Sequence, residues 1–137
     1  MGQALAKPNA ATQFVKRINA HDVDGLIELM TPDHIFVDSL GERSSRPAIE
    51  NGWRRYFEMV PDYWVRIERR IMAGDTTILI GSAGGTYAAK GAPRKSKDRW
   101  ETPAVWIART RRGKVAEWRI YADNEPIRAR MREGQRV

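Results

Sequence analysis

Asn19-Ala-His-Asp-Val-Asp-Gly-Leu-Ile-Glu-Leu-Met-Thr-Pro-Asp-His-Ile-Phe-Val-Asp-Ser-Leu-Gly41 is the stretch on which the reading of this chain turns. Its first half predicts a helix. Asp22 is placed to cap free backbone N–H groups, and Val23, Leu26, Ile27 and Met30 recur at helical spacing behind it. Thr31-Pro32-Asp33 is expected to stop that helix. His34 to Asp38 then reads as a short strand, with His34, Phe36 and Asp38 on one face and Ile35 and Val37 on the other. A carboxylate following Phe36 on so apolar a strand either ends it in water or stands in a pocket where it does chemistry.

Working outward, Phe14, Val15 and Ile18 give an upstream helix its apolar side. Downstream, Leu40 to Ser45 is a polar loop, with Ser44 or Ser45 as cap and Pro47 in the opening turn of a third helix. Ile49, Trp53, Tyr56, Phe57 and Val60 fall on one side of it, and Pro61-Asp62 ends it. The rest reads as strands from Tyr63 to Met72, Thr76 to Tyr87, Arg99 to Arg109 and Lys114 to Ala122. Tight turns at Gly74-Asp75 and Arg112-Gly113 and a mobile connection over Ala88 to Asp98 join them. Three helices followed by an antiparallel meander predict an α+β domain with the helices packed on one face of the sheet. Gly81, Gly84 and Gly85 within one strand suit a curved sheet.

A length of 137 residues suits one domain. With no cysteine, disulfides, thiolate metal sites and thiol catalysis are excluded, and with two histidines no multi-histidine metal site is expected. The first residues lack the apolar run of a secretion signal, and no segment has the length of a membrane span, so a cytoplasmic protein without a membrane partner is expected. The net charge of +7 is dispersed over a helix, strands, turns and the C-terminal segment instead of forming a basic stripe with interleaved aromatics. It therefore reads as a solvated surface, with no specific nucleic-acid partner. In the strand from Arg99, Val105 and Ile107 alternate with Trp100, Ala104 and Trp106, so both faces are apolar and the outer one calls for a cover.

The helix, the Asn-Ala-x-Asp-x-Asp-Gly turn, the second helix, the Pro-Asp break and the strand ending in Asp38 resemble the opening of the nuclear transport factor 2 family, in its SnoaL-like branch. Arg46-Pro47-Ala48-Ile49 resembles the start of that family's third helix, Ala73-Gly74-Asp75-Thr76 its hairpin turn, and Gly113 to Asp123 its last strand. The resemblance covers residues 11–127, leaving 1–10 as an N-terminal arm and 128–137 as a basic C-terminal tail. It implies a cystatin-like fold: three N-terminal helices on a curved antiparallel sheet that wraps a conical pocket. It also implies a homodimer formed across the sheet, a small hydrophobic ligand and no cofactor or metal.

Carried over residue by residue, the proton-abstracting Asp of ketosteroid isomerase matches Asp38. The two hydrogen-bond donors of that enzyme fall on Phe14 and Val105, which cannot donate, and losing such donors typically costs a factor on the order of 10² to 10³ each. Ketosteroid isomerisation is therefore not expected. The Trp-Arg pair of limonene epoxide hydrolase matches Trp118-Arg119, but its acid is replaced by Ile120, which excludes that constellation. The acid of SnoaL-like cyclases lies near Asp123 but is out of step by one residue. The candidate catalytic residues are thus Asp38 and His34, and the candidate ligand-binding residues are Phe14, Phe36, Trp53, Tyr56, Phe57, Trp118 and Ile120. Two functions follow from the resemblance: a cofactor-independent isomerase, cyclase or dehydratase with Asp38 as base, or a non-catalytic binder using the same aromatic pocket.

Overall fold

The computed structural model describes residues 9–89 and 92–135, so the expected arm over 1–10 lies largely outside the described residues. Helix α1 spans Ala10–Asn19, and Asn9 caps it by accepting from the Thr12 amide at 2.9 Å. Its Ala11, Phe14, Val15 and Ile18 are buried, as their spacing requires. Helix α2, Val23–Glu28, is capped by Asp22, whose carboxylate accepts from the Gly25 amide at 2.9 Å. Between the two helices His21 takes a left-handed backbone (φ 54°) and stacks on Phe57 at 4.2 Å, its Nε2–H directed to the Tyr63 carbonyl at 2.8 Å. Asn19 holds the other end of this turn. Its side-chain amide donates to the Val65 carbonyl at 2.9 Å and accepts from the Val65 amide at 2.7 Å, replacing the neighbour that an edge strand lacks.

Strand β1 runs Met30–Val37, so Thr31-Pro32-Asp33 lies inside the strand that it was expected to precede. The break survives as an irregularity between Met30 and Ile35, where a proline that cannot donate is tolerated. A two-residue strand β2, Arg43–Ser44, pairs with the end of β1 and leads into α3, Arg46–Met59. Ser45 stands at the cap position of α3 without a side-chain bond.

Strands β3 (Trp64–Ala73), β4 (Thr76–Thr86), β5 (Arg99–Arg111) and β6 (Lys114–Ala122) complete a six-stranded sheet in the order β2-β1-β6-β5-β4-β3. The β3 to β6 meander is antiparallel, as expected, but β1 adds to β6 in parallel. Register shifts in the β3–β4 and β5–β6 pairs bend the sheet. Gly81 and Gly85 permit close approaches: a Cβ on Gly81 would lie 1.8 Å from the Arg66 carbonyl oxygen, and one on Gly85 2.3 Å from Val60.

Trp100, Ala104, Trp106 and Ala108 on β5 and Trp118 on β6 face the helices and form the core with Phe14, Ile18 and Leu26. The opposite face carries two apolar rows read from the register: Ile71, Ile78 and Ile107 lead to Arg119, and Ile80 and Val105 lead to Tyr121. Val105 thus lies on the outer face, and it is its neighbour Trp106 that points inward. The C-terminal segment read as a basic tail continues the fold as a fourth helix, α4, Glu125–Gln135, with Ile127 buried against the core. Its arginines hid an apolar side built from Ile127 and Met131.

Candidate functional site

Between α3 and the concave face of the sheet lies a cavity of about 300 Å³, at the small end of the range for small-molecule pockets. Helix α3 supplies Ala48, Ile49, Gly52, Trp53 and Tyr56, which fall on one side of the helix. Ile49 alone is fully buried on α3, because the aromatic side of this helix looks onto open space instead of packed sheet. Gly52 widens that space, since a Cβ there would meet nothing within 4 Å. The opposite wall is Phe36 from β1, Trp106 from β5, and Trp118 and Ile120 from β6. Polar groups gather where β1, the loop after it and the end of β6 meet: Asp38, Ser39, Ser44 and Asn124. Asn124 donates to the Ser39 hydroxyl at 2.9 Å, tying the end of β6 to that loop.

Asp38 is both a cap and a wall residue. Its Oδ1 accepts from the Leu40 amide at 2.9 Å and the Glu42 amide at 3.0 Å, fixing the loop that leads to β2. Its Oδ2 makes no hydrogen bond among the described residues, and the side chain borders the cavity. The carboxylate is therefore oriented through one oxygen while the other is available.

His34 shares that side of β1 but lies deeper, at 1% exposure, with its ring 6.0 Å from Phe14. Its Nδ1–H donates to the Val115 carbonyl at 2.6 Å, which leaves Nε2 a buried acceptor without a partner. Burial holds the imidazole below its usual 6.5, although the bond to Val115 pulls the other way. His34 is not among the residues that line the cavity.

Of the candidate ligand-binding residues, Phe36, Trp53, Tyr56, Trp118 and Ile120 line the cavity together with Asp38. Phe14 is sealed beneath it, 4.6 Å from Trp118, and Phe57 is turned toward His21, with Trp53 at 5.3 Å. Sequence reasoning passed over Tyr63, Trp106, Asn124 and the small residues Ala48 and Gly52. The last two were detectable, because Ala48, Gly52 and Tyr56 fall one turn apart on α3 and a small-residue stripe beside aromatics marks a hollow. Tyr63 follows α3 directly; its ring meets Tyr56 edge-on at 4.9 Å and Trp100 at 6.2 Å, forming the back wall. Burial pushes the hydroxyls of both Tyr56 and Tyr63 well above the usual tyrosine value. Among the described residues no group of three or more His, Cys, Asp or Glu side chains is placed to hold a metal ion.

The fold is shared with solved structures. A protein with a ketosteroid isomerase-like fold from Catenulispora acidiphila superposes with a TM-score of 0.75 at 23% identity, over 91% of this chain and 93% of that one. A candidate SnoaL-like polyketide cyclase from Shewanella denitrificans gives 0.76 at 17% identity, over 90% and 95%. IdmH, a candidate polyketide cyclase from Streptomyces antibioticus, gives 0.73 at 20% identity, over 89% and 95%. At such identities the likeness establishes the fold. No protein of curated function matches the sequence significantly. The family model for the SnoaL-like domain matches residues 11–118, taking in α1 to β5 and the start of β6 through Trp118, and the chain belongs to the SnoaL-like domain family.

Proposed function

We propose that this protein binds a small, largely apolar molecule in the α3–sheet cavity and acts on it as a cofactor-independent proton-transfer catalyst of the isomerase, cyclase or dehydratase kind, with Asp38 as base. The observation that carries this reading is the Asp38 carboxylate at the wall of an aromatic cavity, with Oδ1 held by two backbone amides and Oδ2 free. A base must be positioned before its strength matters, and two amide bonds supply the positioning. His34 takes no part in this scheme, since its free nitrogen is shut in the core. We read the positive charge as surface solvation, with pairs such as Arg66–Glu101 at 3.4 Å and Arg119–Glu117 at 3.4 Å, and place the protein in the cytoplasm. No helix among the described residues is long and apolar enough to cross a membrane.

The test is hydrogen–deuterium exchange at the methyl group of 2-acetylnaphthalene in heavy water, followed by NMR. The ketone fits the cavity's size and carries protons next to its carbonyl. The protein is expected to accelerate exchange and Asp38→Asn to remove the acceleration. Binding without acceleration would leave the reading of a non-catalytic binder.

The outer face of the sheet supports a second copy of the chain as its cover, because Ile71 and Tyr121, which flank the partly exposed Ile78, Ile80, Val105 and Ile107, are 39% and 49% exposed. Sedimentation is expected to give twice the 15.7 kDa chain mass, and Ile107→Glu to give the monomer.

A further inference from the structure

No hydrogen-bond donor stands at Phe14 or Val105, yet two tyrosines border the folded cavity. Tyr56 from α3 and Tyr63 from the segment after it both line the cavity, their rings perpendicular and 4.9 Å apart. Neither hydroxyl has a hydrogen-bond partner among the described residues. A phenolic O–H without a protein partner is a donor open to a ligand. The sealed, unpartnered side-chain atoms among the described residues are Thr31 Oγ1, His34 Nε2, Trp100 Nε1 and Arg130 Nε. The tyrosine oxygens are not in that set, so each keeps some accessible surface, and both residues line the cavity. Burial keeps both phenols protonated at neutral pH, so they present O–H donors instead of phenolates. The other polar side chains of the cavity, Asp38, Ser39, Ser44 and Asn124, gather where β1, the loop after it and the end of β6 meet.

We propose that Tyr56 and Tyr63 form a paired donor site that selects, among apolar molecules of the right size, those carrying a carbonyl oxygen placed against the two hydroxyls. This rests on the reading of the cavity as a ligand site and adds the chemical class of the ligand. A site built to donate discriminates against an analogue lacking the acceptor, because binding that analogue leaves the donors dry and unpaired.

The test compares 2-acetylnaphthalene with 2-ethylnaphthalene, which has nearly the same shape and no acceptor, by quenching of the fluorescence of Trp53, Trp106 and Trp118. Wild-type protein is expected to prefer the ketone by roughly tenfold, the effect of one or two neutral hydrogen bonds. Tyr56→Phe with Tyr63→Phe is expected to erase the preference by weakening the ketone alone, with 2-ethylnaphthalene binding unchanged as proof that the cavity is intact. The infrared carbonyl band of the bound ketone, ¹³C-labelled at that carbon, is expected at lower frequency than in hydrocarbon solvent. That measurement stands on the wild-type protein even if the double variant does not fold. A band at the hydrocarbon position, or a preference that survives the double substitution, would overturn the paired donor site while leaving the cavity a ligand site. Failure of both naphthalenes to bind would instead remove the ligand-site reading and this proposal with it.

Discussion

His34 and Asp38 share one side of β1 and its continuation, and they have opposite surroundings. His34 is enclosed by Phe14 and bound to the Val115 carbonyl, so its fixed tautomer is a product of packing. Asp38 sits where the sheet stops being covered, held by the amides of a loop and facing a cavity. The same strand therefore passes from core to site within one turn of the pleat. What decides the role of a titratable residue here is the depth at which α1 or α3 covers it, which no alternation along the strand encodes.

The sharpest way to break this contrast is to empty the deep end. Phe14→Ala removes a fully buried ring packed between His34 and Trp118 and is expected to cost about 3–5 kcal/mol of stability, read by urea unfolding. The next effect is that of pH. Because burial lowers the pKa of His34 below 6.5, the unfolded chain takes up a proton there before the folded one does. The stabilisation is complete above about 6.5 and is lost as pH falls toward the folded value, by at most about 1.4 kcal/mol per pH unit. Unfolding at pH 7 and pH 5 is expected to show this slope, and His34→Gln to flatten it. Asp33 and Asp62 do not interfere, since both are held below 3.8 and lose their contributions only in more acid solution. For Asp62 burial works against this, but the bonds from Thr86 prevail.

At the mouth, effects should be smaller in stability and larger in function. Asp38→Ala forfeits the two loop-capping bonds and is expected to cost about 1 kcal/mol, while Asp38→Asn, which keeps an acceptor, costs less. A loss from Asp38→Ala as large as that from Phe14→Ala would place Asp38 with the core. The smallest expected effect is a gain: Gly52→Ala adds a methyl group into open space in a helix interior, worth about 0.5–1 kcal/mol in thermal or urea unfolding. Gly52→Leu, reaching further in, is expected to abolish ligand binding with the fold retained.

The sequence showed the local features of this molecule and missed those that depend on depth or distance. Asp22 as a cap, the aromatic side of α3 and the hairpins at Gly74 and Gly113 all rest on contacts between near neighbours, which periodicity and turn chemistry report. Phe14 and Phe57 had the right spacing to face inward, but spacing gives a face and not a layer. One lies under the floor of the cavity, and the other is turned toward the α1–α2 turn. Val105 was matched by alignment to a position on the inner face, and the pleat puts it outside. The C-terminal arginines masked α4, because charged residues on an exposed side say nothing about Ile127 and Met131 on the other.

The parallel seam between β1 and β6 joins Phe36 to Trp118 and Val37 to Arg119, residues far apart in the chain. A ribosome delivers β1 long before it delivers β6, the neighbour that completes its ladder on the side away from β2. Until Trp118 has emerged, β1 carries an open edge and an uncovered Phe36, the condition that invites pairing with another chain. The loop closed by this seam also carries a large entropic cost before any contact repays it, so the cavity should be among the last parts of the molecule to form. A nascent chain cut short before β6 should therefore be clear of any ligand and dependent on chaperones, and the site should come into existence in a single late step.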